Sequence, residues 1–224
     1  MNDRIFIVIP SYNEGEVLRQ TVENLLPFGY SIVVVDDGSR IDPWPMLRDL
    51  PIHFVRHPVN LGQGAALQTG MDYARLHNAE AVVHYDADGQ HDFCDIPRFL
   101  EALKDADMVL GSRFLRQEDA AQVPLTKRCL LQMARFVNFI FTGCWLTDAH
   151  NGYRALGPKA LETIRLTENR MAHATEILSR AKDAKLRLRE IPVTIHYTDY
   201  SKAKGQKWYN SLNILIDLIL NKLM

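Results

Sequence analysis

Strand-length apolar runs separated by helical patterns predict an α/β protein with a mostly parallel, twisted sheet and helices on both faces. Three observations carry this reading. The runs Ile5 to Ile9 and Ile32 to Val35 are continuous rather than alternating, as in strands buried on both sides. Between them, Val17, Leu18, Thr21, Val22, Leu25 and Leu26 recur at helical spacing. The chain has 224 residues, 47% of them hydrophobic, which suffices for one substantial core.

The rhythm continues in order. A third strand is expected over Ile52 to Val55, a helix over Ala65 to His77, a strand over Ala81 to Tyr85, a helix over Ile96 to Leu103 and a strand over Met108 to Leu110. After Arg113 it breaks. Leu125 to Leu146 reads as one helix or two, with Lys127, Arg128 and Arg135 near its start; a helix over Ala174 to Ala181 and a strand over Leu186 to Ile195 follow. The last segment, Trp208 to Leu223, is polar only along Asn210, Asn213, Asp217 and Asn221. So wide an apolar face calls for burial against the domain, a second copy of the chain or a membrane surface, while Asp217 at its centre argues against a spanning segment. Residues 1–207 therefore read as one domain and 208–224 as an amphipathic docking helix.

Composition removes some classes of function. A formal net charge of -1 supplies no drive toward nucleic acid. Cys94, Cys129 and Cys144 lack metal-ligand spacing, and their odd number fits a reducing compartment. The N-terminus lacks the signal-peptide pattern, so a cytoplasmic location is expected. The most apolar stretch, Phe136 to Leu146, is shorter than the ~20 residues a spanning helix needs.

In open parallel sheets ligands bind at the carboxyl ends of the strands, and here the informative residues cluster at those ends. They are Pro10-Ser-Tyr-Asn-Glu14, Asp36-Asp-Gly-Ser39, Asn60-Leu-Gly-Gln-Gly64, Asp86-Ala-Asp88 and Gly111-Ser-Arg113. Asp86 and Asp88, two apart at a strand end, project from one face and can share a hard divalent cation against a diphosphate. Asp37 is suited to accept hydrogen bonds from a base or ribose, with Gly38 and Ser39 turning the backbone. Asn60, Gly62 and Gly64 open a helix whose free amides are expected to face a nucleotide or phosphate. Neither a P-loop nor a dinucleotide fingerprint is present.

Together with Asp148-Ala-His-Asn-Gly-Tyr-Arg154, Glu176, Glu190-Ile-Pro192 and Ser201-Lys202, these motifs resemble, over almost the whole chain, the family-two inverting glycosyltransferases with the GT-A fold, and among them the dolichyl-phosphate mannose synthase type. The resemblance implies a nucleoside-diphosphate sugar donor, of UDP or GDP type, with Pro10, Tyr12, Glu14 and Asp37 lining the nucleotide pocket. It implies Mg2+ or Mn2+ on Asp86, Asp88 and Gln90, and contacts from Arg113, Ser201 and Lys202 to the acceptor phosphate or the diphosphate. Asn13, Gly38, Asn60, Gly64, Ala87, Arg128 and Asn151 join the expected substrate-binding set. A polyprenyl-phosphate acceptor is already ionised, whereas a glycan hydroxyl needs a base, for which Asp148 is the first candidate and Glu176 the second. Where the synthases carry an arginine and a glycine before the Ser-Lys pair, this chain has Tyr197-Thr-Asp-Tyr200. The expected setting is cell-envelope or glycoconjugate synthesis at the inner face of a membrane, with a membrane protein or second copy as partner. The competing readings are a nucleotide-sugar-binding subunit without turnover and a sugar-1-phosphate nucleotidyltransferase. The latter would carry a Gly-rich cationic loop where Ser11-Tyr-Asn-Glu14 stands.

Overall fold

The computed structural model describes residues 3–116, 135, 139–140, 142–148 and 151–196. Arg128, Ser201, Lys202 and the segment 208–224 lie outside the described residues.

The first half follows the expected alternation. It runs β1 (Ile5–Ser11), α1 (Glu16–Leu25), β2 (Ser31–Asp36), α2 (Trp44–Leu47), β3 (His53–Arg56), α3 (Gln63–Leu76), β4 (Ala81–His84), α4 (Ile96–Ala102) and β5 (Met108–Ser112). The described remainder adds β6 (Arg154–Leu156), α5 (Pro158–Thr163), α6 (His173–Asp183) and β7 (Leu188–Pro192). The sheet order is β3-β2-β1-β4-β6-β5-β7, parallel throughout except that β6 runs antiparallel between β4 and β5.

Successive side chains of a strand face opposite sides, so a continuous apolar run feeds two cores. In β1, Phe6 and Val8 pack with Val33, Val35, Leu67, Met71, Ile177 and Leu178 on one face. Ile7 and Ile9 pack with Ile32, Val34, Leu18, Val22 and Phe99 on the other. Helices α3, α5 and α6 thus cover one face, and α1, α2 and α4 the other.

Three expectations are corrected. The helix expected through Leu146 ends by Thr142: the Gly143 amide donates to the Phe139 carbonyl at 2.7 Å, Gly143 turns with a φ of 66°, and 143–146 is not helical. The strand expected over Leu186 to Ile195 is confined to Leu188–Pro192. The sequence reading also placed no strand at Arg154–Leu156, which fills the gap between β4 and β5 with three buried residues. No helix among the described residues is long and apolar enough to cross a membrane.

Candidate active site

The loops after β1 and β2 are stitched to each other. Asn13, at a φ of 57°, donates its amide to Ser39 Oγ at 2.8 Å and accepts from the Arg40 amide at 3.0 Å through Oδ1. Buried Asp36 accepts from the Ser39 amide at 3.2 Å and pairs with Arg56 at 3.1 Å. Beside this seam, Tyr12 is 38% exposed, Glu14 is half-buried and Pro10 is buried in the end of β1.

Asp37 departs from expectation. Its Oδ1 lies 2.8 Å from His57 Nδ1 and accepts from the Leu61 amide at 3.0 Å; its Oδ2 accepts from Asn60 Nδ2 at 2.8 Å and the Gly62 amide at 2.7 Å. A carboxylate offers about four acceptor positions, so this buried side chain has none left for a base or ribose. It folds the Asn60–Gly62 turn instead. Gly38, at a φ of 69°, passes under that turn, where an added Cβ would meet the Val59 carbonyl carbon at 2.5 Å.

Two of the amides at the start of α3 are likewise turned inward. The Gly62 amide serves Asp37, and the Ala65 amide donates to the Asn169 carbonyl at 3.2 Å. Gly64 is buried, and a Cβ there would lie 2.1 Å from the Glu168 carbonyl oxygen, so it admits the 168–169 backbone rather than a ligand. Glu176 anchors that segment. Its carboxylate accepts from the Thr167 amide at 3.0 Å, Thr167 Oγ1 at 2.6 Å, the Glu168 amide at 2.9 Å and Arg180 Nη2 at 3.0 Å. Burial opposes its charge, but the Thr167 and Glu168 hydrogen bonds and Arg180 together hold its pKa below the usual range. This corrects the expectation of a free base at Glu176.

Asp86 and Asp88 sit together at the end of β4, both partly exposed, with Ala87 buried between them and its carbonyl accepting from Thr21 Oγ1 at 3.1 Å. Asp86 Oδ1 accepts from Gln63 Nε2 at 3.2 Å, and Oδ2 lies 3.0 Å from His91 Nε2. Asp88 Oδ1 accepts from the Gln90 amide at 3.1 Å. Burial raises the Asp88 pKa, and the like charges of Asp86 and Glu14 add to it; burial also opposes charge on Asp86, but His91, His173 and Arg154 outweigh it and bring that pKa down. Clustered carboxylates with one pKa forced upward form a field that a divalent cation would relieve. Among the described residues no three His, Cys, Asp or Glu side chains form a ready-made metal cage. A two-carboxylate site suits a cation that keeps water and substrate oxygens in its coordination sphere.

Behind the pair lies Arg154, 1% exposed, donating through Nε to the Asn151 carbonyl at 3.0 Å. Burial lowers its pKa to about 10, and the charges of Asp86 and Asp148 pull the other way, so one buried cation serves both carboxylates. Asp148 is gripped by Arg113, with Nε to Oδ2 at 2.6 Å, Nη2 to Oδ1 at 2.8 Å and the Arg113 amide to Oδ2 at 3.1 Å. Glu190 fixes the approach by accepting from the amides of Thr147 at 2.8 Å and Asp148 at 3.1 Å. The expectation of Asp148 as a free base is corrected: a guanidinium fork occupies it. Arg113 correspondingly faces Asp148. Asn151 is buried and caps the turn, Oδ1 accepting from the Tyr153 amide at 3.0 Å. Sequence reasoning missed Gln63, which lies inside the Asn60–Gly64 motif, and His91, three residues beyond Asp88.

Comparison with known proteins decides the family. The model of Glycosyl transferase family 2 matches residues 6–165. The chain belongs to glycosyl transferase family 2. Within this family it is 30% identical to a UDP-N-acetylglucosamine–dolichyl-phosphate N-acetylglucosaminyltransferase of Methanococcus voltae, covering 98% of this chain and 96% of the relative. It is 29% identical to an undecaprenyl-phosphate mannosyltransferase of Micrococcus luteus, covering 90% and 87%. Among solved structures it resembles the glucosyl-3-phosphoglycerate synthase of Mycobacterium tuberculosis, determined with Mn2+, UDP and phosphoglyceric acid, at a TM-score of 0.64 and 16% identity over 90% of this chain and 73% of that one. That likeness establishes the GT-A fold for this family 2 member.

Proposed function

We propose that this family 2 glycosyltransferase moves a sugar from a UDP- or GDP-type donor to a polyprenyl phosphate, with inversion at the anomeric carbon, in cell-envelope or glycoconjugate synthesis. The observation that carries the proposal is the state of the two candidate bases. Asp148 is locked to Arg113, and Glu176 is spent on Thr167, Glu168 and Arg180. A sugar hydroxyl must lose its proton to attack, and neither carboxylate is placed to take it. A phosphate monoester, with a second pKa of about 6, brings its own charge. The dolichyl-phosphate and undecaprenyl-phosphate enzymes among the relatives support the same acceptor class.

In this reading Tyr12, Asn13 and Glu14 border the nucleotide, and Asp86, Asp88 and Gln90 would hold Mg2+ or Mn2+ for the donor diphosphate. When bound, the cation offsets the charge of the departing nucleoside diphosphate. The residues of the chain fix the geometry: Asp37 sets the Asn60–Gly62 turn, and the buried charge of Arg154 acts on both Asp86 and Asp148. Arg128, Ser201 and Lys202 supply cationic and hydroxyl groups for the acceptor phosphate, while Arg113 stays paired with Asp148. The enzyme would work at the cytoplasmic face of a membrane, since its acceptor is a lipid.

The test is nucleoside-diphosphate release from UDP- and GDP-sugars with Mg2+ or Mn2+, comparing polyprenyl phosphate with polyprenol of the same length. Release that requires the phosphate supports the reading. Equal release with polyprenol overturns it.

A further inference from the structure

A carboxylate at a strand end swings about two torsions, and a site that needs it in one orientation must restrain it. Asp86 is restrained from three directions among the described residues. Gln63 Nε2 donates to Oδ1 at 3.2 Å, and His91 Nε2 stands 3.0 Å from Oδ2. The Gly152 backbone closes the remaining side, where an added Cβ would lie 2.9 Å from Oδ2.

His91 is itself held from several directions. It is 5% exposed, stacked on Tyr153 at 4.4 Å and 25°, and edge-on to Tyr85 at 5.4 Å and 76°. Its carbonyl accepts from the Tyr85 hydroxyl at 2.5 Å, and its backbone bridges to Ile195. The Nε2 to Oδ2 approach is 3.0 Å, and among the described residues neither ring nitrogen makes a hydrogen bond of standard geometry. Burying such a group costs about 1–3 kcal/mol, so a phenyl ring would fill this aromatic slot better if packing were its whole purpose. Contacts between catalytic groups are commonly misaligned before substrate binds and tighten in the complex.

We propose that His91 is a positioning residue: its Nε2–H orients the Asp86 carboxylate toward the donor diphosphate and its cation. The proposal deepens the donor-site reading above and rests on it. Partners one step behind a ligating carboxylate typically contribute 10–100-fold to affinity.

The test uses His91→Phe, which keeps the ring stack and removes the donor, and His91→Gln, which returns an N–H near the Nε2 position. Mn2+ with UDP or GDP is titrated calorimetrically into each full-length variant, alongside Asp88→Ala, Asp86→Asn and the double variant His91→Phe/Asp86→Asn. Expected is a loss of about tenfold or more in nucleotide affinity for His91→Phe with thermal stability unchanged or higher, partial recovery in His91→Gln, and no further loss when His91→Phe is added to Asp86→Asn. Wild-type affinity in His91→Phe, or an equal further loss in the Asp86→Asn background, overturns the proposal. If Asp88→Ala loses binding while His91→Phe does not, only the His91 role fails. If Asp88→Ala binds like the wild type, the donor-site reading fails and this proposal with it.

Discussion

Arg113 and Asp148 meet as a two-pronged buried pair, Nε to Oδ2 at 2.6 Å and Nη2 to Oδ1 at 2.8 Å, with side chains 11% and 1% exposed. Breaking one partner of a buried pair leaves an uncompensated charge, at a cost of about 3–5 kcal/mol. Asp148→Ala is therefore expected to lower the denaturant midpoint sharply, and Arg113→Met/Asp148→Leu to recover much of the loss. Chemical denaturation of the two variants checks this; equal losses would mean that the charge pair is not what holds this loop.

Glu176 gives a pH prediction with a definite sign. Its folded pKa lies below the ordinary 4.5, so its stabilisation is complete above that value and is lost as pH falls through the folded pKa. Glu176→Gln removes that dependence, so its stability profile is flatter than wild type below about pH 4.5. If acceptor-dependent transfer needs no protein base, Glu176→Gln also keeps kcat within a few-fold of wild type.

His173 acts over a different pH range. Burial lowers its pKa from 6.5 to about 4, so the unfolded chain takes up a proton below 6.5 that the fold refuses, and stability falls as pH drops through that window. Each pKa unit is worth about 1.36 kcal/mol and the unfolded histidine is already half protonated at pH 6.5, so lowering pH from 6.5 to 5 costs about 1.5 kcal/mol through this group. Urea denaturation at the two pH values should show a smaller difference in His173→Gln. An unchanged difference would reassign the effect to other groups.

Gly64 is the point where α3 admits the 168–169 backbone, the intruding Cβ position lying 2.1 Å from the Glu168 carbonyl oxygen. Gly64→Ala has no flexible side chain to displace there, and overpacking of this kind costs about 1–3 kcal/mol. Thermal unfolding checks the loss. A neutral or stabilising effect would show that the 167–170 segment can lift away without cost.

The sheet was legible because its first strands are continuous apolar runs, and Ile7 and Ile9 announce their burial as plainly as Phe6 and Val8. Strand β6 was not legible: three residues beginning with an arginine carry no periodicity, and only the gap between β4 and β5 makes Arg154 a strand residue. The same holds for the site. Asp86 and Asp88 declare themselves by spacing within one strand end. Whether Asp37, Asp148 and Glu176 are available to a ligand depends on Gly62, Arg113 and Thr167, which approach from elsewhere in the chain. Hydrogen-bond capacity is a local property, but its use is set by tertiary structure.

In the proposed reaction the acceptor, and not the protein, supplies the charge for attack. The pH dependence of kcat/KM tests it most directly, measured with a polyprenyl phosphate and with the corresponding phosphonate, whose second ionisation occurs at higher pH. Expected is an acid limb near the phosphate's second pKa, about 6, that moves upward with the phosphonate. An acid limb at the same pH for both acceptors would place the titrating group on the enzyme and rule out the acceptor as the source of the charge.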